Sequence, residues 1–169
     1  MSLIPPTGLA AVLVRGTDAQ TVGQPSNTVR LLADSSTTGG ALSTHRVTLG
    51  KGADGAYPHR HTGSSELFYI LGGSLQVLAG EDVHTAHEGD LLVVPPNMPH
   101  AFAAAPHSEA DLLIVITPGI ERFDYFRLLA RLATGEAMLP ELLDSQERFD
   151  NHFLDSPAWN QLRSGENDQ

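Results

Sequence analysis

The chain has 169 residues, a formal net charge of −10, 41% hydrophobic residues and no cysteine. That size holds one domain with an appendage, and the hydrophobic share is enough for a core. The acidic balance argues against nucleic acid or an anionic membrane surface as partner, and the lack of cysteine excludes disulfides and thiolate chemistry.

Up to about Pro118, short apolar runs are separated by Gly, Pro, Asn and Asp. The predicted strands are Ala11–Val14, Thr28–Ala33, Thr44–Leu49, Glu66–Leu71, Ser74–Ala79, Asp90–Val94, His100–Ala103 and Leu112–Thr117. That rhythm is the rhythm of an all-β sandwich or barrel. Leu71-Gly72-Gly73-Ser74 reads as a tight turn, which makes Glu66–Ala79 a hairpin. Ala79-Gly80-Glu81-Asp82 reads as a second turn. Leu91–Val94 is apolar on both faces and stops at Pro95-Pro96, which cannot continue a ladder.

The pattern changes after Pro118-Gly119. Phe123, Phe126, Leu128, Leu129 and Leu132 recur at helical spacing, so a helix is predicted over Glu121–Ala133, stopped by Thr134-Gly135. A second helical stretch is predicted from about Glu141 to Leu154. Trp159 reads as the anchor of the last ordered turn, and Ser164–Gln169 as a disordered polar end. The chain thus divides into a β-barrel domain, 1–118, and a helical extension, 119–169, packed on it. No stretch approaches the ~20 apolar residues of a membrane span. The run Ala10–Val14 has no basic segment ahead of it and does not read as a signal peptide, so a cytoplasmic location is expected.

The residues that carry chemistry lie at or just before the starts of these predicted strands. His59-Arg60-His61 is followed by Glu66 and, 34 positions later, by His100. Two histidines at i and i+2 on an extended segment project from one face. A third histidine and a carboxylate from neighbouring segments complete a set of three nitrogen donors and one oxygen donor. Such a set suits one divalent transition metal: iron, nickel, cobalt, manganese, copper or zinc. The two-histidine, one-carboxylate part is the ligand set of non-heme iron oxygenases.

These residues carry a family resemblance. Gly52, His59-x-His61, four residues, Glu66, six residues and Gly73 resemble the first cupin motif. Gly89, five residues, then Pro95-x-Asn97-x-x-His100 resemble the second. The resemblance implies a double-stranded β-barrel of jelly-roll type. It also implies that His59, His61, Glu66 and His100 ligate a metal at the barrel mouth. The chain departs from the family pattern in three places. Six residues rather than five separate Gly52 from His59, Asn97 replaces the usual Gly, and Ala104 stands where some members carry Asn. No ligand is lost. A second resemblance lies in the tail. Thr117-Pro118-Gly119-Ile120-Glu121-Arg122-Phe123 followed by Asp124-Tyr125-Phe126 is similar to the segment after the barrel in quercetinase-like single-domain cupins.

Strand alternation places Tyr57 on the face of His59 and His61, Phe68 and Ile70 on that of Glu66, and Phe102 on that of His100. His45 shares a face with Val47 and Leu49. These five residues are the candidate substrate pocket, which should be aromatic and apolar with few donors, since Arg60 has the wrong parity to point inward and Lys51 lies in a loop. A flat organic ligand suits such a pocket. The leading functional expectation is a metal-dependent dioxygenase acting on an aromatic hydroxy or enol-type molecule, flavonol-like in class. Dioxygen is then the second substrate, and Glu66 is the catalytic group that moves the proton. The alternatives are a non-catalytic small-molecule sensor and a metal-dependent isomerase, cyclase or decarboxylase. A homodimer is expected, with the strand at Ala11–Val14 crossing to the partner to protect an edge.

Overall fold

A computed structural model describes residues 10–165. In chain order the elements are β1 (Thr21–Gln24), β2 (Asn27–Ala33), β3 (Ser43–Leu49), β4 (Asp54–Arg60), β5 (Ser65–Ala79), β6 (Asp82–His87), β7 (Leu91–Val94), β8 (His100–Ala104) and β9 (Ala110–Thr117). The extension adds α1 (Phe123–Ala133), α2 (Leu139–Asp144), α3 (Gln146–Phe149), β10 (His152–Phe153) and α4 (Pro157–Gly165). All strand pairs are antiparallel, in the order β1-β2-β3-β9-β5-β8-β4-β10, with β6 and β7 also on β5. The all-β expectation holds: the sheet curls on itself with its apolar side inward.

Alternation explains the core. On β2, β3 and β9 every second residue is buried: Val29, Leu31, Ala33; Ser43, His45, Val47, Leu49; Ala110, Leu112, Ile114, Ile116. Strand β8 is buried at all five positions. Its inward residue Phe102 joins the main core, while Ala101 and Ala103 face outward with Leu78 and are covered by Trp159 of α4. The tail helix thus turns a one-sided strand into a two-sided one; Trp159, expected only to anchor the last ordered turn, is its buried contact. Arg163 holds that helix by donating to Asp54 Oδ1 at 2.9 Å and to the Gly52 carbonyl at 2.8 Å.

Several expectations change. Glu66–Ala79 is no hairpin but most of one continuous strand, Ser65–Ala79. Its first half pairs with β9 and β7, and its second half with β8 and β6. Gly72-Gly73 is the corner where β5 passes from one side of the barrel to the other, with a register shift against β9 between Ile70 and Gly72. A double glycine between apolar runs has the same composition at a corner as at a turn. Gly73 has φ +71, and a Cβ there would fall on the carbonyl oxygen of Glu109. The second turn does form, between Ala79 and Asp82.

Ala11–Val14 forms no strand; Leu13 is 73% exposed. Strands β1 and β6 went unpredicted because Gly or polar residues interrupt any apolar run in them, and β4 was foreseen only as the extended segment that carries Tyr57 and His59. The second helical stretch is broken. It comprises α2 and α3, ends at Asp150 in the left-handed conformation (φ 44), and continues into β10. Of the polar end, Ser164 and Gly165 belong to α4, and residues 166–169 lie outside the described residues. No helix of the described residues is long and apolar enough to cross a membrane.

Gly73→Ala should lower the unfolding free energy by about 2–4 kcal/mol, from a strained φ plus a backbone clash. Gly80→Ala, also at positive φ but with open space around its Cβ position, should cost only about 1 kcal/mol. Chemical denaturation of both variants checks the difference, and equal losses would contradict the corner.

Candidate metal centre

Three strands, β4 with the residue after it, β5 and β8, bring the candidate ligands together. His59 is near the end of β4 and pairs in register with His100 at the start of β8. His61 follows β4 directly. Glu66 is the second residue of β5. The turn before His100 is tied to the segment after β4, since Asn97 N–H donates to the His61 carbonyl at 2.7 Å. Asn97 itself has φ 67, the left-handed conformation that makes Asn an acceptable substitute for Gly there. One ligand atom from each of His59, His61, Glu66 and His100 lies within 4.8 Å of all the others, and all four residues are buried.

The imidazoles are oriented by the backbone. His59 Nδ1 lies 2.7 Å from the Tyr57 carbonyl, His61 Nδ1 2.6 Å from the Asp150 carbonyl, and His100 Nδ1 2.9 Å from the Met98 carbonyl. A carbonyl only accepts, so each Nδ1 carries a proton, and Nε2 is the nitrogen left to serve as a metal ligand. His61 Nε2 and His100 Nε2 lie 3.0 and 2.7 Å from Glu66 Oε2. Lone pairs facing a carboxylate at that range require a shared cation. Protons can fill that role, and so can a divalent metal, whose histidine ligands commonly spend the other nitrogen in this way. The donor set, its burial and its anchoring fit a single metal ion.

Electrostatics agree with a cation-binding centre. Burial pushes the Glu66 carboxyl up, but hydrogen bonds and charge from His100 and His61 outweigh it and hold the group well below the usual carboxylate range. Burial pushes His100 down, and Glu66 more than reverses this. Burial and the two neighbouring imidazoles drive His59 well below its ordinary value.

The centre opens on a cavity of about 640 Å³ between the barrel and the extension. His59 and Glu66 line it; His61 and His100 do not. Of the expected pocket residues, His45 and Phe102 line the cavity as buried groups. Phe68 and Ile70 are buried in the core and do not line it. Phe68 instead packs edge-on against Phe102 at 5.6 Å and against His100 at 6.3 Å. Tyr57 borders the cavity but is 69% exposed. The register shift between Ala56 and His59 against β8 breaks the alternation that would have turned it inward.

The extension builds the opposite wall, with Tyr125, Phe126, Leu129 and Leu132 from α1 and Leu142 from α2. The walls are largely apolar, as expected, and neither Arg60 nor Lys51 lines them, but an arginine from beyond the barrel does. Arg122, from the segment just before α1, is 4% exposed and lines the cavity, as does the buried Asn151. Strand alternation in the barrel carries no signal for either residue, because both lie beyond it. Asp150 was also unforeseen. Its carboxylate accepts from Thr62 N–H at 2.9 Å and Gly63 N–H at 3.0 Å, while its carbonyl holds His61. Burial raises the Asp150 carboxyl, and the Thr62 and Gly63 hydrogen bonds bring it below its ordinary value. Strand β10 pairs Phe153 with His59. The other histidines stay apart: His84, His87 and His107 are exposed, and His152 bonds Asp150 Oδ1 at 3.1 Å.

A family model described as a cupin domain matches residues 45–116, which include all four candidate ligands. Solved structures with the same fold include KdgF from a Halomonas species, at 18% identity over 69% of this chain and 99% of that one, with TM-score 0.58. An RmlC-like cupin from Shewanella frigidimarina matches at 20% identity over 69% and 96%, with TM-score 0.57. Streptomyces Pac13 with uridine matches at 14% identity over 69% and 88%, with TM-score 0.55. No curated protein matches by sequence. The fold is the cupin jelly roll, and these matches support the cupin superfamily.

Protein purified without added metal should carry about one equivalent of a divalent transition metal by elemental analysis. His59→Ala, Glu66→Ala and His100→Ala should each lose most of it, and His84→Ala none. Unchanged metal content in the ligand variants would contradict the site.

Proposed function

We propose that this cupin-fold chain is a metal-dependent dioxygenase acting on an aromatic hydroxy or enol-type small molecule, flavonol-like in class. The carrying observation is a buried three-histidine, one-carboxylate cluster in the wall of a largely apolar cavity of about 640 Å³. A cavity of that size accommodates a flat organic molecule of a few rings. A redox-active divalent metal held by His59, His61, Glu66 and His100 would acidify a hydroxyl bound to it and relay electrons from the substrate, which is the species oxidised, to dioxygen.

The chain's own groups do the rest. Glu66 faces the cavity and is the ligand suited to exchange a proton, so it takes the hydroxyl proton as substrate enters. Phe102 on one wall and Leu129 and Leu132 on the other position the rings and exclude water.

A homodimer and a cytoplasmic location belong to the same reading. Tyr69, Leu71, Leu91 and Val93 are exposed on the outer face of β5 and β7, and the run Val12–Val14 is exposed beside no strand. Covering these on a second copy would protect the β7 edge. An oxygen-independent reaction is the second reading, favoured by the buried Arg122 cation, which would stabilise a developing anion. Cupin folds similar to this chain include a nucleoside dehydratase and a polyketide cyclase.

Metal-loaded protein offered flavonols and smaller enols in an oxygen electrode should consume about one dioxygen per substrate. Glu66→Gln should lower kcat about 100-fold or more. Turnover that continues unchanged without oxygen would overturn the dioxygenase in favour of the second reading. So would the absence of oxygen uptake across the panel with the site filled.

A further inference from the structure

The cavity holds a cluster of buried polar groups that the metal centre does not use. Among the described residues, four buried side-chain polar atoms lack a hydrogen-bond partner: Ser43 Oγ, His45 Nδ1, Arg122 Nε and Asn151 Nδ2. Three of these belong to residues that line the cavity. A buried polar atom without a partner is costly, and native structures account for such atoms with ligands or bound solvent.

Arg122 is the centre of the cluster. Its guanidinium is stacked on the ring of Tyr125 at 4.1 Å and lies 5.1 Å from that of Phe126. Its Nη atoms reach Asn151 Oδ1 at 3.4 and 3.5 Å, and the neutral Tyr125 hydroxyl also interacts with the guanidinium. Asp34 does not pair with it. The oxygens of that carboxylate accept from the backbone N–H groups of Ser35, Arg122 and Phe123 at 3.2, 2.7 and 3.1 Å. Glu66 and Asp34 contribute favourable charge at longer range, but Glu66 is committed to His61 and His100 and Asp34 to the backbone. A guanidinium removed from water and left without an ion-pair partner is destabilising unless an anion arrives with the ligand.

We infer that Arg122, with Asn151 and His45, forms a subsite that receives a carboxylate group of the substrate inside the cavity. This rests on the reading of the cavity as a substrate pocket, but not on the reaction being an oxygenation. The free Nε–H and an Nη–H present the two-pronged edge that matches the two oxygens of a carboxylate. The unpartnered Asn151 Nδ2 adds another donor. His45 is buried against Phe126, with ring centroids 4.4 Å apart. Burial and then the charge of Arg122 depress its pKa to about 3. It therefore meets the ligand as a neutral ring, and Arg122 supplies the subsite's positive charge. The substrate class narrows to a small organic acid whose carboxylate sits at Arg122 while its hydroxyl or enol reaches the metal centre.

Calorimetric titration of the zinc-loaded protein tests this without turnover or oxygen, using 4-hydroxybenzoate and its uncharged partner 4-hydroxybenzamide. The acid should bind roughly tenfold or more tightly than the amide. Arg122→Met should abolish that preference while leaving the zinc content and the weaker amide binding unchanged. Arg122→Lys, which keeps the charge but not the fork, should restore part of it. Since every form carries the same zinc, a preference created by the metal alone would survive in Arg122→Met. That result would overturn the proposal, as would equal affinity for acid and amide, or no acid binding at millimolar concentration. If Arg122→Met does not fold, Arg122→Lys alone decides: an undiminished preference overturns the proposal, and a weakened one supports it. Failure of oxygen uptake would leave this binding result intact.

Discussion

The structure depends on one constraint: three imidazoles that each spend Nδ1–H on a main-chain carbonyl. With that nitrogen committed, the ring can neither rotate nor present its other tautomer without losing a hydrogen bond in a buried setting. The Nε2 lone pairs of His61 and His100 are thereby fixed on the carboxylate that their strands bring beside them. The arrangement favours a cation at that point over any arrangement without one. It also explains why positions that are chemically silent matter: the carbonyls of Tyr57, Met98 and Asp150 orient the site as surely as the ligands do.

The third of these carbonyls makes the extension part of the centre. Asp150 closes α3 in the left-handed conformation, and from there its carbonyl holds His61 while its carboxylate holds the loop after β4. Strand β10 then adds to the free edge of β4 beside His59. Helix α1 lies across the opening and supplies the apolar wall, and Arg122 just ahead of it supplies a buried charge. A barrel without this segment would keep its four ligands but lose the carbonyl behind one of them and most of the cavity's far side.

The four clustered residues were legible partly from local geometry and partly from the resemblance to the two cupin motifs. Two residues along a strand share a face, and the segment spacing of the two motifs is that of the jelly roll. His45 was legible for the same reason, from alternation with Val47 and Leu49. Tyr57 was misread because a bulge between it and His59 resets the alternation, and nothing in Ala56-Tyr57-Pro58 announces a bulge. Gly72-Gly73 was misread as a turn because glycine marks positive φ without saying whether the chain reverses or only bends. Arg122 and Asn151 could not be placed at all. They reach the cavity through tertiary packing of the extension on the barrel, and an arginine in an amphipathic segment carries the same local pattern whether it faces water or a pocket.

Nitrogen NMR of the zinc-loaded protein, resolving the ring nitrogens of each histidine, tests the account most directly. Zinc is diamagnetic, so both nitrogens of each ring report. His59, His61 and His100 should each show a proton on Nδ1 and a metal-shifted Nε2, while His84, His87 and His107 remain in ordinary exchange with solvent. A proton on Nε2 of any of the three, or zinc-induced shifts on the outer histidines instead, would contradict the centre on which the proposed function rests.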